Sequence, residues 1–121
     1  MKKILIIEDE KILREMYEER FKQEGFSIIS AEDGIEALKI IKKKKPDLIL
    51  LDILLPKKNG IDFLKEYRQT AEFSSIPVIA FSNFDDPDTK KEAKSLGVKD
   101  YLIKSNHTPK EILMKLQKYL K

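Results

Sequence analysis

A chain of 121 residues with 41% hydrophobic and 37% charged side chains is long enough for one buried core, hence one domain spanning 1–121. A net charge of +3, from 24 Lys+Arg against 21 Asp+Glu, is too mild a bias to point to direct nucleic-acid binding. Zero cysteines and the single His107 argue against disulfides, thiolate nucleophiles and zinc, so any metal must be held by oxygen, and apolar runs far too short for a bilayer predict a cytoplasmic protein without membrane contact.

Lys3 to Ile7 (KILII) reads as a short buried strand that delivers Glu8, Asp9 and Glu10 to its carboxyl end. Ile12, Leu13, Met16, Tyr17 and Phe21 then recur at helical spacing up to Glu24, with Gly25 as a stop. They predict an amphipathic helix whose apolar residues serve the core. Phe26 to Ala31 is a second strand and Asp33-Gly34 a turn. Ile35, Ala37, Leu38 and Ile41 mark a second helix that closes in Lys42 to Lys45. Those lysines suit the negative end of the helix dipole, and read as a solvated helix end rather than a nucleic-acid patch.

Pro46 stops that helix. Leu48 to Leu51 form an unbroken apolar run, the pattern of a strand covered on both faces, and Asp52 ends it. Open α/β sheets place their ligand crevice at the carboxyl ends of strands, which makes Asp52 a candidate chemical group. An acid closing a strand also serves simply as a turn residue. Pro56 and Asn59-Gly60, a dipeptide suited to positive φ, lead to a third helix from Ile61 through Leu64 and Tyr67 to about Thr70. Ile76 to Phe81 (IPVIAF) is a fourth strand, followed by Ser82 and Asn83. Pro87 opens a fourth helix in which only Ala93 and Leu96 are apolar, so it should be the least firmly packed; Gly97 closes it. Tyr101 to Ile103 is a fifth strand ending in Lys104 and Ser105. Thr108-Pro109 caps a last helix carrying Ile112, Leu113, Leu116, Tyr119 and Leu120.

Five strands alternating with five helices specify a doubly wound parallel sheet, and the flavodoxin-like order 2-1-3-4-5 would set strands 1 and 3 side by side. Glu8, Asp9 and Asp52 would then converge, and three carboxylates in one crevice call for a cation, with Mg²⁺ matching the oxygen ligands. Ser82 and Lys104 would end strands 4 and 5 at the same rim. Singly they read as a cap and a surface lysine. Together with the ion they could bind a phosphoryl group on Asp52, the nucleophile.

At this point the chain resembles the receiver domains of two-component response regulators, of the chemotaxis-regulator type. IIEDE at Ile6 to Glu10 looks like the family's acidic pair, LLDILLPKKNG at Leu50 to Gly60 like its phosphoacceptor loop, and DYLIKS at Asp100 to Ser105 like its lysine strand. The thirty-residue interval from Asp52 to Ser82 and the twenty-two from Ser82 to Lys104 fit the same pattern. The resemblance implies that Asp52 is phosphorylated, that Glu8, Asp9, Asp52 and the Leu54 carbonyl hold Mg²⁺, and that Lys104 contacts the phosphoryl group. Ser82 is then the switch hydroxyl, and Tyr101 the aromatic whose rotamer follows the switch. Leu54 and Phe84 fall at positions resembling the gate for hydrolytic water, where an apolar pair predicts a long-lived acyl phosphate; Phe84 reads alternatively as a surface aromatic awaiting a partner.

Two positions depart from the family pattern. Ser105 stands where proline is usual, and Asn83 stands where a small residue is usual. Members with that proline have a cis bond before it, and the resemblance carries this expectation to Lys104–Ser105. The implied partners are a sensor histidine kinase or histidine phosphotransfer protein and an unnamed downstream protein, with a weak homodimer as a further option. No output domain is legible, so the chain reads as a stand-alone regulator or an excised receiver. The chain is accordingly read as a phosphorylated signalling domain rather than a dedicated enzyme. A flavodoxin is disfavoured because Glu8, Asp9 and Glu10 would repel a flavin phosphate. An Mg²⁺-dependent phosphohydrolase would carry its aspartate nucleophile after the first strand, where this chain has EDEK. A non-phosphorylated interaction module would have no need of the intact set Glu8, Asp9, Asp52, Ser82 and Lys104.

Overall fold

A computed structural model describes residues 2–55, 57–69 and 75–120. The elements alternate along the chain: β1 (Lys3–Ile7), α1 (Lys11–Gln23), β2 (Ser27–Ala31), α2 (Gly34–Lys44), β3 (Leu48–Asp52), α3 (Gly60–Arg68), β4 (Val78–Ser82), α4 (Pro87–Ser95), β5 (Asp100–Ile103) and α5 (Pro109–Gln117). A 3₁₀ turn, Lys104–Asn106, lies between β5 and α5. The five strands form one sheet in the order β2-β1-β3-β4-β5, every neighbouring pair parallel. This is the doubly wound, flavodoxin-like arrangement that the alternation of elements predicts.

The strands' period of two divides the core between the sheet's two faces. Leu5, Ile7, Ile49, Leu51 and Ala80 face one way, toward Ala37 and Ile41 of α2, Phe63 and Tyr67 of α3 and Ala93 of α4. Ile4, Ile6, Leu48, Leu50 and Phe81 face the other way, toward Tyr17 and Phe21 of α1 and Ile112 and Leu116 of α5. β3, in the middle, is buried at every position, whereas β2, at an edge, is only half-buried over Ser27–Ser30. The continuous apolar run of β3 and the weaker one of β2 therefore have the same cause, the number of helices covering each strand.

Local signals set most of the boundaries. Asp33, Asn59, Asp86 and Thr108 each accept a hydrogen bond from a first-turn backbone N–H of the helix they precede. Thr108 and Glu111 complete a capping box ahead of α5. α4 buries only Ala93, in keeping with its sparse apolar pattern. Gly60 differs from the sequence expectation: it is the first residue of α3, and neither it nor Asn59 has a positive φ. A Cβ at Gly60 would lie 2.6 Å from Ile53 Cα and 2.8 Å from the Asp52 carbonyl oxygen, so glycine is needed there for close approach. The expected helix end at Thr70 lies outside the described residues. Among the described residues no helix is long and apolar enough to cross a membrane.

Candidate functional site

The carboxyl ends of β1, β3, β4 and β5 share one rim, and strand alternation decides which rim residues meet. Glu8 continues the row of Ile4 and Ile6, Asp52 that of Leu48 and Leu50, and Lys104 that of Leu102, all on the α1/α5 side. The three meet accordingly. Lys104 Nζ lies 3.1 Å from Asp52 Oδ2 and makes a second ion pair with Glu8 Oε1. Ser82 and Tyr101 follow the opposite row, that of Ala80 and the α2–α4 side. The Ser82 hydroxyl accepts the Phe84 N–H at 3.1 Å, and the Tyr101 hydroxyl donates to the Phe84 carbonyl at 2.7 Å.

Glu8 is 1% and Asp52 4% exposed, so both acids are withdrawn from water while Asp9 remains exposed. Burial pushes the Asp52 carboxyl up to about 7; the Lys104 ammonium opposes this and the Glu8 carboxylate adds to it. Burial works against the charge of Lys104, but Asp52 and Glu8 outweigh it and raise the ammonium above its ordinary value. The lysine also lies over the Phe81 ring, 4.6 Å from its centroid, which gives the cation a third favourable contact. Carboxylate oxygens from Glu8, Asp9 and Asp52, one each, lie within 4.8 Å of one another. Hard oxygen donors at that spacing fit a small divalent cation.

The surrounding loops hold these groups in place. Leu54 N–H donates to Asp52 Oδ1 at 3.3 Å, and the Glu8 carboxylate accepts the Glu10 N–H at 3.1 Å ahead of α1. Leu54 and Phe84 project from the β3–α3 and β4–α4 loops, 56% and 40% exposed. The Lys104–Ser105 bond departs from expectation: there are no cis peptide bonds among the described residues. Lys104 reaches the acids from a trans backbone because the 3₁₀ turn starting there redirects the chain, and the Ser105 N–H, which a proline would lack, donates to Asn83 Oδ1 at 2.9 Å.

Three roles went unread in the sequence, that of Asn83 even though the residue itself stands out there as a departure from the family pattern. Arg14 donates from Nη1 to the Glu8 and Asp9 carbonyls at 2.9 and 3.4 Å, bracing the loop that carries both acids. Phe81 supports Lys104, and Asn83 holds Ser105. Arg14 left a faint trace, an arginine on α1 soon after the acids, whereas the other two depend on contacts across the sheet.

Removing the cation should leave Glu8 and Asp52 facing each other in a site with little water. Lys104→Ala is expected to cost about 3 kcal/mol in metal-free buffer, read as a lower urea midpoint at unchanged slope. A loss under about 1 kcal/mol would show that the lysine is not what holds the two acids together.

The response regulator receiver domain family matches residues 4–117. PhoP of Bacillus subtilis, the alkaline phosphatase synthesis transcriptional regulatory protein, is 34% identical over 120 residues, 99% of this chain and 49% of PhoP. The transcriptional regulatory protein CpxR of Escherichia coli is 40% identical over 104 residues, 86% of this chain and 43% of CpxR. The chain thus spans about half the length of the curated relatives it matches. Among solved structures, chemotaxis protein CheY4 of Vibrio cholerae superposes with a TM-score of 0.92 at 29% identity, 99% of each chain being covered. With the sheet order and the rim of acids, lysine and hydroxyl already in place, the match over nearly the whole length assigns this chain to the receiver domains of two-component response regulators.

Proposed function

We propose that Asp52 accepts a phosphoryl group from a sensor histidine kinase or a histidine phosphotransfer protein, and that the phosphorylated domain acts as a switch toward a downstream protein. The observation that carries this reading is the buried Asp52 carboxylate at the end of β3, with Lys104 Nζ 3.1 Å away. An Asp52 oxygen attacks phosphorus, the P–N bond of the donor phosphohistidine breaks, and its electron pair leaves with the imidazole. Lys104 offsets the negative charge on the transferred oxygens, and Ser82 offers them a hydroxyl. Glu8, Asp9, Asp52 and the Leu54 carbonyl would hold Mg²⁺, which when bound supplies charge neutralisation at the phosphoryl oxygens. Arg14, by bracing the Glu8 and Asp9 backbone, keeps those ligands in register.

The switch runs through the β4–α4 loop. Ser82 and Tyr101 both bond to Phe84 in that loop, so drawing Ser82 toward a phosphoryl group competes with its bond to the Phe84 N–H and alters the seat of Tyr101. The named relatives are transcriptional regulators; for this chain the target is a protein surface or a second copy, in the cytoplasm. The test is intact mass after incubation with acetyl phosphate, with and without Mg²⁺. One phosphoryl group should add, only with the ion, and no adduct under either condition would refute the reading.

Phosphoryl lifetime follows from the gate. Leu54 and Phe84 offer an approaching water no hydrogen-bond partner, so Leu54→Asn with Phe84→Glu should hydrolyse the acyl phosphate about five- to tenfold faster at equal Mg²⁺. An equal or slower rate would assign Phe84 to partner contact instead.

A further inference from the structure

The bond from Ser105 N–H to Asn83 Oδ1 ties together two segments that leave different strands, β4 and β5, immediately after Ser82 and Lys104. Its two ends are the two positions at which the sequence departs from the receiver pattern. A proline at 105 would have no N–H to give, and a small residue such as alanine at 83 would have no side-chain acceptor to receive it, so the two departures make one contact. On the other side of Lys104 the Tyr101 hydroxyl bonds to the Phe84 carbonyl at 2.7 Å, so the β4–α4 loop is fastened to the lysine strand both before and after the lysine. The donated N–H belongs to the planar Lys104–Ser105 peptide unit. Fixing that plane fixes the backbone direction from which the lysine stem starts toward Asp52.

We propose that Asn83 is a positioning residue for Lys104: its side-chain amide, through the Ser105 N–H, holds the turn that aims the ammonium at Asp52. The inference rests on the phosphoryl-transfer reading above and adds a residue to it. Both ends of the bond are exposed to solvent, so its contribution to global stability is small while its effect on the aim of Lys104 is local.

The experiment is a double-mutant cycle of wild type, Asn83→Ala, Ser105→Pro and the double variant. Phosphorylation by acetyl phosphate at saturating Mg²⁺ is measured for all four, Mg²⁺ affinity by amide-shift titration, and hydrogen exchange of the Ser105 amide in metal-free wild type and Asn83→Ala. Asn83→Ala should slow phosphorylation about fivefold, leave Mg²⁺ affinity within about twofold, and deprotect the Ser105 amide. Adding Asn83→Ala to Ser105→Pro should cost nothing more, because the donor is already gone. Wild-type rates in Asn83→Ala, an unchanged Ser105 amide, or a further fivefold loss in the double variant would each overturn the positioning role. A wild type that takes up no phosphoryl group overturns the function reading and this one with it, whereas a phosphorylated wild type matched by Asn83→Ala overturns only this one.

Discussion

Asp52→Asn should take up no phosphoryl group from acetyl phosphate and should nevertheless fold at least as stably as the wild-type chain. The amide lacks a nucleophilic oxygen, so intact mass should stay unchanged at saturating Mg²⁺. Stability moves the other way because the wild-type carboxylate is buried. Its pKa is raised from 3.8 to about 7 by desolvation, against Lys104 and with Glu8. The folded state therefore holds more protons than the unfolded one between those values, and the wild type gains stability as pH falls through about 7 and loses it as pH rises. The asparagine does not titrate. In metal-free buffer at pH 8 its melting temperature should exceed the wild type's by about 5 °C, and the gap should close toward pH 5. An adduct in the variant would relocate the acceptor. A lower melting temperature at pH 8 would mean that attraction to Lys104 outweighs the burial of the acid.

Gly60→Ala should lose as much stability as Lys104→Ala and should also impair the site. Helix propensity alone favours alanine over glycine at an ordinary helix position. Here the added carbon would meet Ile53 Cα at 2.6 Å and the Asp52 carbonyl oxygen at 2.8 Å, both backbone atoms that cannot rotate away. The Gly60 N–H also donates to the Ile53 carbonyl at 2.8 Å, which sets the separation of α3 from the end of β3. Relieving the contact means moving the helix or the loop, at a cost of about 3 kcal/mol or roughly 12 °C in melting temperature. The Asp52 backbone takes part in the clash, so phosphorylation of the variant that remains folded should slow about tenfold or more. A melting temperature within about 3 °C of wild type would show that the loop yields cheaply.

The fold was legible because its causes are local. Five apolar runs, each a few residues long and each followed by turn or cap residues, define the strands, and the helical periods between them leave a parallel sheet as the packing that covers every run. The acids of the site were legible for the same reason: Glu8, Asp9 and Asp52 end apolar runs, and strand ends in such a sheet form the crevice. The pairing of Lys104 with Glu8 and Asp52, apart from Ser82 and Tyr101, was latent in strand alternation. It took the register of Asp52 beside Phe81 and of Ser82 beside Ile103 to bring it out.

The order of elements, the two core faces and the residues delivered to one rim all follow from periods of two and 3.6 along the chain. How close separate segments come is set instead by their packing against one another. Only the approach of α3 to β3 explains why position 60 must be glycine, and why Asn59-Gly60 caps a helix instead of making a positive-φ turn. Only the meeting of the β4–α4 and β5–α5 loops shows that Asn83 and Ser105, two separate departures from the family pattern in the sequence, form one hydrogen bond, next to a Lys104 that pairs with Asp52 from a trans backbone. Contacts of this kind join residues whose spacing in the chain carries no period, so they exist as physical facts only once the sheet has set the distance between its loops.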